Sequence, residues 1–434
     1  MKNKIKDIKS ITLDKENKEN KEKLINEFFL SKNKHIQKEI IKKLSSVEDS
    51  NLCIFFDEIV LGDYPSYVQK EAVSALGRMR NYEVAYNYLF NYLNNRNPEI
   101  VLQAIRGLLV FKDYKDIKEK LFDIYETNPN EIIKYIISKE FHLELLDFDT
   151  KKSHIEVNEN YKNKVINGDV LSILKNVDNN SVHLTFTSPP YYNARDYSIY
   201  SSYEEYIEFL SQVFEEVHRV TKDGRFLIIN TSPVIIPRVG RKYSSKRYPI
   251  AFDLHNKLVN NGWEFIDDIY WVKPDASVKN RVGGFTQHRK ALMYKPNSVT
   301  EQIMVYRKKS NKLIDWNLNC YPKDVIESSK VLDTFDRTNI WYIDPVHDKK
   351  HSAVFPYELC KKIVEYYSLK GDLIFDPFAG SGTLGQAALD YERNIFMTEI
   401  QNDYFERIKE KMKLYFGIEF LNEDEFTNKR RDMK

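Results

Sequence analysis

The sequence predicts an all-α helical repeat domain followed by an α/β domain with a seven-stranded, Rossmann-like, doubly wound sheet. Three observations support this prediction. Residues 24–147 show no strand-like alternation, and their apolar residues recur at helical spacing. After about residue 160, short β-rich runs alternate with amphipathic helical segments, as in a mostly parallel sheet. A glycine-rich strand-to-helix junction at 375–385 is typical of the ligand-binding edge of such a sheet.

Length and composition limit the class of protein. The chain has 434 residues, enough for two or three domains, and 42% of them are hydrophobic. The formal net charge is +2, so a nucleic-acid-binding surface would have to be local. The three cysteines have neither disulfide nor metal-ligand spacing, which favours a reducing compartment and predicts no metal site. Without a signal-peptide pattern or a membrane-length apolar run, we expect a cytoplasmic protein without membrane contact.

The first part of the chain contains a helical repeat. Residues 1–23, rich in Lys, Asn and Glu, are expected to form a charged tail. Residues 24–147 contain four similar apolar segments. Their anchor residues, spaced 32, 33 and 31 positions apart, are Ile36, Val68, Val101 and Ile132. This period predicts stacked helix pairs that resemble HEAT-type repeats.

A proline precedes each of the last three anchors by three residues, a position suited to the first turn of a helix. These prolines are Pro65, Pro98 and Pro129. The stack either offers a docking surface for DNA or a protein partner, or serves only for packing and solubility.

The second part of the chain, about residues 161–416, alternates strands and helices. The predicted strands are Lys164–Asn167, Val182–Thr187, Phe226–Asn230, Phe265–Val272, Gln302–Arg307, Leu373–Phe375 and Asn394–Thr398. The clearest helices are Tyr203–Val220 and Tyr357–Tyr367. Two segments, about 274–297 and 308–350, have no regular period and are candidate target-recognition segments, and residues 417–434 are expected to be a charged tail.

The run Thr187-Ser188-Pro189-Pro190-Tyr191 directly follows a predicted strand, where open α/β sheets bind ligands. The Ser188 hydroxyl and the Pro189 carbonyl can accept hydrogen bonds from an amine, and the prolines restrict the loop backbone. Tyr191 offers a flat face for stacking a base. These residues suit methylation of an exocyclic amino group, which requires the base to leave the helix. A plain Pro-Pro turn is the alternative interpretation.

The second motif, FDPFAGSGTLG, runs from Phe375 to Gly385. Its three glycines match G-x-G-x-x-G at a strand-to-helix junction, and Glu399 ends the next predicted strand, where it can meet ribose hydroxyls. Asp376 can balance the charge of a cationic cofactor. A P-loop is excluded because no Lys-Ser or Lys-Thr follows the glycines. A dinucleotide would fit the glycines alone equally well.

Together, DPFAGSGT and TSPPY resemble the amino-methyltransferases of bacterial restriction–modification systems. The catalytic motif precedes the cofactor motif by nearly 190 residues, the order that defines the β group of that family. The resemblance covers about residues 161–416. It implies an S-adenosylmethionine-dependent methyltransferase core that flips a base of double-stranded DNA and transfers methyl by direct displacement. It also implies a restriction endonuclease partner, encoded as a separate chain.

The resemblance assigns roles to individual positions. Ser188, Pro189, Pro190 and Tyr191 would be catalytic. Cofactor-binding residues would be Asp169, Thr187, Phe355, Pro356, Asp376, Pro377, Phe378, Gly380, Gly382, Thr383 and Glu399. Asp169 would bind the adenine amine, Phe355 and Pro356 the methionine end. Basic clusters beside the site are candidate DNA contacts: Arg238, Arg241, Lys242, Lys279, Arg281, Arg289 and Lys290.

Ser-Pro-Pro in this family generally accompanies cytosine N4, whereas Asp-Pro-Pro and Asn-Pro-Pro accompany adenine N6. Ser188 therefore favours cytosine N4, with adenine N6 as the alternative. Carbon-5 methylation is disfavoured because no cysteine follows a proline, as its nucleophile normally does. The remaining alternatives are a dinucleotide-dependent oxidoreductase, a non-catalytic scaffold, and an RNA substrate.

Overall fold

The structure is a computed structural model of the chain. It describes residues 2–13, 18–47, 49–79, 83–141, 157–192, 200–236, 242, 246–277, 291–292, 298–310, 314–331, 335–346 and 354–432. The chain divides into two compact units, Met1–Asp147 and Phe148–Lys434. Within the described ranges, no helix is long and apolar enough to cross a membrane.

The first unit is helical throughout its described part. Its helices are α1 (Lys2–Ser10), α2 (Lys18–Leu30), α3 (Lys34–Leu44), α4 (Asn51–Leu61), α5 (Ser66–Arg78), α6 (Glu83–Tyr92), α7 (Pro98–Leu108), α8 (Lys115–Thr127) and α9 (Glu131–Glu140). A short 3-10 turn, Leu109–Phe111, follows α7. Successive helices pair, α2 with α3 through α8 with α9, and the second helix of each pair packs on the next. Their apolar faces therefore build one continuous core, as in a helical repeat.

The four similar segments lie in α3, α5, α7 and α9. The prolines take different positions. Only Pro98 lies in a first turn; Pro65 is the N-cap of α5, and Pro129 precedes the N-cap Asn130 of α9. An asparagine caps three of these helices, because its side-chain oxygen satisfies backbone N–H groups that have no partner within the helix.

The described residues among the first 23 pack in this unit and do not form a separate tail. Ile8 of α1 is buried in the helical core. Lys21 of α2 is also buried, and its ammonium lies 2.6 Å from the Asp49 carboxylate. The charged composition conceals this packing because a lysine stem can be covered while its charge is paired.

Helices α5 and α7 approach closely where two glycines face each other. A Cβ built on Gly107 would lie 3.2 Å from the Gly77 Cα and 3.0 Å from the Leu89 Cδ1. The absence of side chains here lets the two helix backbones meet.

A Gly107→Val variant is expected to destabilise the helical unit by about 1–3 kcal/mol, because the new side chain overpacks the α5–α7 contact. Chemical unfolding of the full chain, followed by far-ultraviolet circular dichroism, measures the loss. Arg106→Val, one position earlier on the exposed side of α7, controls for placing valine in this helix. Equal stability of the two variants would contradict the close approach.

The second unit is α/β. Its strands are β1 (Lys164–Asn167), β2 (Val182–Thr187), β3 (Thr221–Thr231), β4 (Val234–Ile236), β5 (Lys246–Tyr248), β6 (Trp263–Val272), β7 (Thr300–Lys308), β8 (Ile340–Tyr342), β9 (Leu373–Asp376), β10 (Asn394–Glu399) and β11 (Glu419–Asn422). Its helices are α10 (Val170–Leu174), α11 (Tyr203–Val220), α12 (Ile250–Asn260), α13 (Ile314–Leu318), α14 (Lys323–Ser328), α15 (Tyr357–Tyr367), α16 (Thr383–Asp390), α17 (Asn402–Met412) and α18 (Glu423–Asp432). A 3-10 turn, Asp275–Ser277, follows β6.

The main sheet has nine strands in the order β11-β1-β10-β9-β2-β3-β7-β6-β8. All neighbours pair in parallel except the antiparallel β3–β7 and β6–β7 pairs. The seven predicted strands form the contiguous centre, which confirms the predicted core. The short strands β8 and β11 extend it at the two edges, and apolar layers cover both faces.

The C-terminal residues fold onto the sheet instead of forming a charged tail. Strand β11 pairs with β1, and Phe426 of α18 is buried beside Phe396. Few apolar residues carry this packing among many charged ones, so composition alone hides it. Residues 417–434 therefore belong to the α/β unit.

The sheet has a topological switch point between β9 and β2. From β9 the chain proceeds to β10 on one side, and from β2 to β3 on the other. The loops after β9 and β2 therefore diverge and leave a crevice at the carboxyl edge, where open α/β sheets bind ligands.

Candidate active site

The two sequence motifs meet at the switch point. Strand β2 lies beside β9, with Thr185 opposite Phe375, so both strands end at the same edge. The buried Thr187 hydroxyl donates a hydrogen bond to the Asp376 carboxylate at 2.7 Å. Two loops almost 190 residues apart in sequence thus form one site.

The glycine loop after β9 has a tightly determined backbone. Gly380 and Gly382 have φ values of 50° and 70°, in the left-handed region that favours glycine. The Ala379 N–H donates to the Thr398 carbonyl at 3.0 Å, and the Thr398 hydroxyl donates to the Pro377 carbonyl at 2.8 Å. Gly382 caps α16, whose first residue is Thr383. The loop presents backbone rather than side chains to a ligand.

Two buried carboxylates support this loop. Asp376 also accepts from the Phe378 N–H at 3.1 Å, and Glu399 accepts from the N–H groups of Gly380 and Gln401, both at 2.8 Å. Burial raises the pKa of Asp376 to about 7, and the charge of Glu399 adds to this rise. Burial also raises the pKa of Glu399. The site therefore holds negative charge at an energetic cost that a bound cation would reduce.

The other predicted cofactor residues surround the same edge. Asp169 caps α10 by accepting from the Ser172 N–H at 3.0 Å, and its own N–H donates to Glu423 at 3.0 Å. Phe355 stacks on Phe186, with ring centroids 4.8 Å apart. Buried Pro356 is the N-cap of α15, and half-buried Phe378 lies near Phe209, at 6.3 Å between centroids.

The catalytic motif continues directly from β2. Ser188, Pro190 and Tyr191 are half-buried, and Pro189 is buried. The Tyr191 hydroxyl donates to the Glu301 Oε2 at 3.2 Å. The motif is therefore connected to the sheet through its tyrosine.

Glu301 is the centre of a polar group that the sequence pattern does not indicate. We call it the Glu301 cluster: Tyr191, Asn230, Lys273 and Glu301. The Asn230 amide donates to the Glu301 Oε2 at 2.5 Å, and the Lys273 ammonium pairs with Oε1. Lys273 also lies over the Trp271 ring, 4.2 Å from its centroid. The available signal is a charged residue at the start of β7, before the apolar centre of that strand and beside the edge that carries TSPPY.

Ile400 is a second residue that the motifs do not single out. It directly follows Glu399 and is 62% exposed, although its neighbours in β10 are buried. An exposed apolar side chain next to the Glu399 carboxylate, which is predicted to meet ribose hydroxyls, suits the face of a purine. Its position after an acidic strand end is the signal that could have identified it.

Most predicted DNA contacts lie outside the described residues: Arg238, Arg241, Lys279, Arg281, Arg289 and Lys290. Lys242 is described and exposed. Its segment is bracketed by the antiparallel pair β4–β5, whose Tyr248 stacks on Tyr203 at 4.2 Å and contacts Tyr192 edge-on. Through this aromatic packing, the strands that flank the basic segment contact Tyr192, the residue directly after the catalytic motif.

Among the described residues, no group of three or more His, Cys, Asp or Glu side chains is placed to hold a metal ion. The described acidic groups at the site are bonded to backbone and side-chain donors instead.

The chain is similar to known DNA-modifying proteins. A family model for N6/N4 methyltransferases, described as DNA methylase, matches residues 182–410. The type II methyltransferase M.MwoI of Methanothermobacter wolfeii is 31% identical over 52% of this chain and 30% of its own length. The type II beta methyltransferase M.BslI of Bacillus sp. (strain NEB-606) is 26% identical over 74% of this chain and 36% of its own. The chain thus matches about a third of the length of these two relatives.

The M.BslI alignment also includes part of the helical unit, because residues 148–434 make up only about two thirds of the chain. Among solved structures, TTHA0409 of Thermus thermophilus is similar at 24% identity with a TM-score of 0.46. That match covers 60% of this chain and 99% of the other.

Proposed function

Because the chain belongs to the N6/N4 DNA methylase family, we propose that it methylates cytosine N4 in double-stranded DNA, using S-adenosylmethionine. The observation that carries the proposal is the hydrogen bond from Thr187 to Asp376. It joins the loop suited to an amine acceptor with the loop suited to a cationic cofactor. Neither loop alone would define a methyl transfer site.

The residues present fit S-adenosylmethionine. The left-handed Gly380 and Gly382 leave the loop backbone open to a ligand, and the buried Asp376 favours a cation. Glu399 suits the ribose, Ile400 and Phe378 the adenine ring, and Phe355 with Pro356 the methionine end. The Pro377 carbonyl accepts from the Thr398 hydroxyl within the loop, and Thr383 begins α16 directly after it. Bound S-adenosylmethionine supplies an electrophilic methyl group.

The catalytic motif would act on the amine. An exocyclic amino group is a weak nucleophile because its lone pair is delocalised into the base ring. The Ser188 hydroxyl and the Pro189 carbonyl would accept hydrogen bonds from the amine, which localises its lone pair on nitrogen. Tyr191 would stack on the flipped base. The rigid Pro-Pro backbone keeps these acceptors in place, so positioning supplies most of the acceleration.

The serine of the motif supports cytosine N4 over adenine N6. Digestion of the methylated DNA to nucleosides, followed by mass spectrometry, distinguishes the two products. We expect N4-methyl-2′-deoxycytidine. N6-methyl-2′-deoxyadenosine in its place would overturn the choice of base and leave the methyltransferase proposal standing.

A role in protecting DNA from a separately encoded restriction endonuclease follows from the type II relatives. DNA carrying the chain's methylation should then resist one endonuclease that cuts unmethylated DNA. Double-stranded DNA is the proposed substrate; methyl transfer to RNA but not to DNA would reject it.

The affinity for S-adenosylmethionine should rise with pH. Asp376 has a pKa of about 7 in the folded protein, so it is largely neutral at lower pH and must lose a proton to pair with the sulfonium. The expected gain is about tenfold between pH 6 and pH 8, levelling off above the pKa. Isothermal calorimetry measures it. S-adenosylhomocysteine, which lacks the positive charge, should show a smaller change; equal slopes for both ligands would contradict this role of Asp376.

A further inference from the structure

The Glu301 cluster lies at the ligand-binding edge, yet the reaction described above uses only its tyrosine. Its members come from the loop after β2, the end of β3, the residue after β6 and the start of β7. The side chains of Glu301 and Lys273 are only 15% and 18% exposed. Partly buried ion pairs seldom add net stability, because desolvation of both charges offsets their attraction. Stability therefore gives little reason for this pair.

The donors and acceptors of the cluster fix the direction of its hydrogen bonds. A carboxylate only accepts, and Glu301 is met by three donors: the Tyr191 hydroxyl, the Asn230 amide and the Lys273 ammonium. Burial and the Glu301 charge raise the pKa of Tyr191 well above its ordinary value, so its hydroxyl keeps the proton that it donates.

We infer that Glu301 is a positioning residue, which holds the Tyr191 hydroxyl and so orients the tyrosine ring on which the target base would stack. The inference rests on the proposed methyl transfer. Lys273 and Asn230 hold the Glu301 carboxylate in place. Glu301 acts through Tyr191 and does not itself touch the base.

A double-mutant cycle with Glu301→Gln and Tyr191→Phe tests this. Glutamine offers one acceptor and adds a donor, so at least one of the three donors loses its partner. We expect E301Q to lower kcat about tenfold, with the Kd for S-adenosylmethionine within about twofold of the wild type. In the Tyr191→Phe background, which removes the hydroxyl, the same substitution should cost less than about twofold.

Glu419→Gln provides the matched control. Glu419, at the start of β11, also accepts from a largely buried lysine, Lys164, but it lies at the amino-terminal end of the sheet strands, opposite the catalytic motif. It should retain nearly wild-type kcat. The inference would be overturned if the losses in kcat from E301Q and Y191F were fully independent in the double variant, or if E301Q had the same rate as E419Q. Thermal unfolding of each variant identifies a folding defect. If E301Q does not fold, Y191F alone tests the inference, because a wild-type rate for Y191F would also overturn the inference. A wild-type chain that labels no DNA would instead reject the proposed function.

Discussion

A Ser188→Ala variant is expected to methylate DNA about 100-fold more slowly than the wild type, while it binds S-adenosylmethionine with nearly unchanged affinity. The substitution removes an acceptor that the proposal places on the reacting amine, and loss of one preorganised polar contact in an active site typically costs this much. The cofactor contacts lie on the neighbouring loop and remain. Single-turnover methylation with excess enzyme measures the chemical step, and equilibrium dialysis measures cofactor binding.

Ser181→Ala is the matched control. Ser181 immediately precedes β2, as Ser188 immediately follows it. The Ser181 hydroxyl donates to the Asp178 carbonyl at 2.8 Å, at the amino-terminal end of the strand and away from the site. This variant should methylate at close to the wild-type rate. Equal rates for the two variants would show that Ser188 does not act on the amine.

An Asp376→Ala variant should lose about 100-fold in affinity for S-adenosylmethionine. The substitution removes the negative charge and leaves the buried Thr187 hydroxyl and the Phe378 N–H without their acceptor. Unpaired buried donors and the loss of a charged partner each cost on the order of 1–3 kcal/mol. Calorimetric titration of the purified variant measures the affinity.

Asp376→Asn separates charge from shape. Asparagine keeps an oxygen that accepts from Thr187 but has no negative charge, so this variant should bind S-adenosylmethionine and S-adenosylhomocysteine with similar affinity. The wild type should prefer the sulfonium ligand above about pH 7. Wild-type affinity in the alanine variant would exclude Asp376 from the cofactor site.

Local sequence patterns identify the two loops because both depend on residues close together in the chain. The run of prolines after an apolar strand, and the glycines that open a helix, report backbone requirements that few other residues meet. The mostly parallel pairing of the central strands follows from the same logic, since alternating strands and helices build a parallel sheet. The sequence also contains the bonding pair Thr187 and Asp376, but only the β2–β9 pairing brings them together.

Features that depend on long-range contacts escape the sequence patterns. In the sequence, Glu301 is an ordinary charged residue beside a predicted strand. The antiparallel pairing of β7 with β3 places it next to Tyr191. The two segments expected as charged tails contain a few apolar residues, such as Ile8 and Phe426, whose burial depends on partners elsewhere in the chain. Asp169 shows a further case: its carboxylate caps α10, a bond that the family's adenine-binding role does not indicate.

Transfer of a labelled methyl group from S-adenosylmethionine to DNA tests the central claim most directly. The purified full chain is incubated with labelled cofactor and unmethylated plasmid, and the label retained in purified DNA is counted beside the Ser188→Ala variant. The joined Thr187 and Asp376 loops predict label in DNA with the wild type and about 100-fold slower incorporation with the variant. Wild-type protein that binds S-adenosylmethionine but leaves the DNA unlabelled would contradict the assignment of this site to DNA methylation.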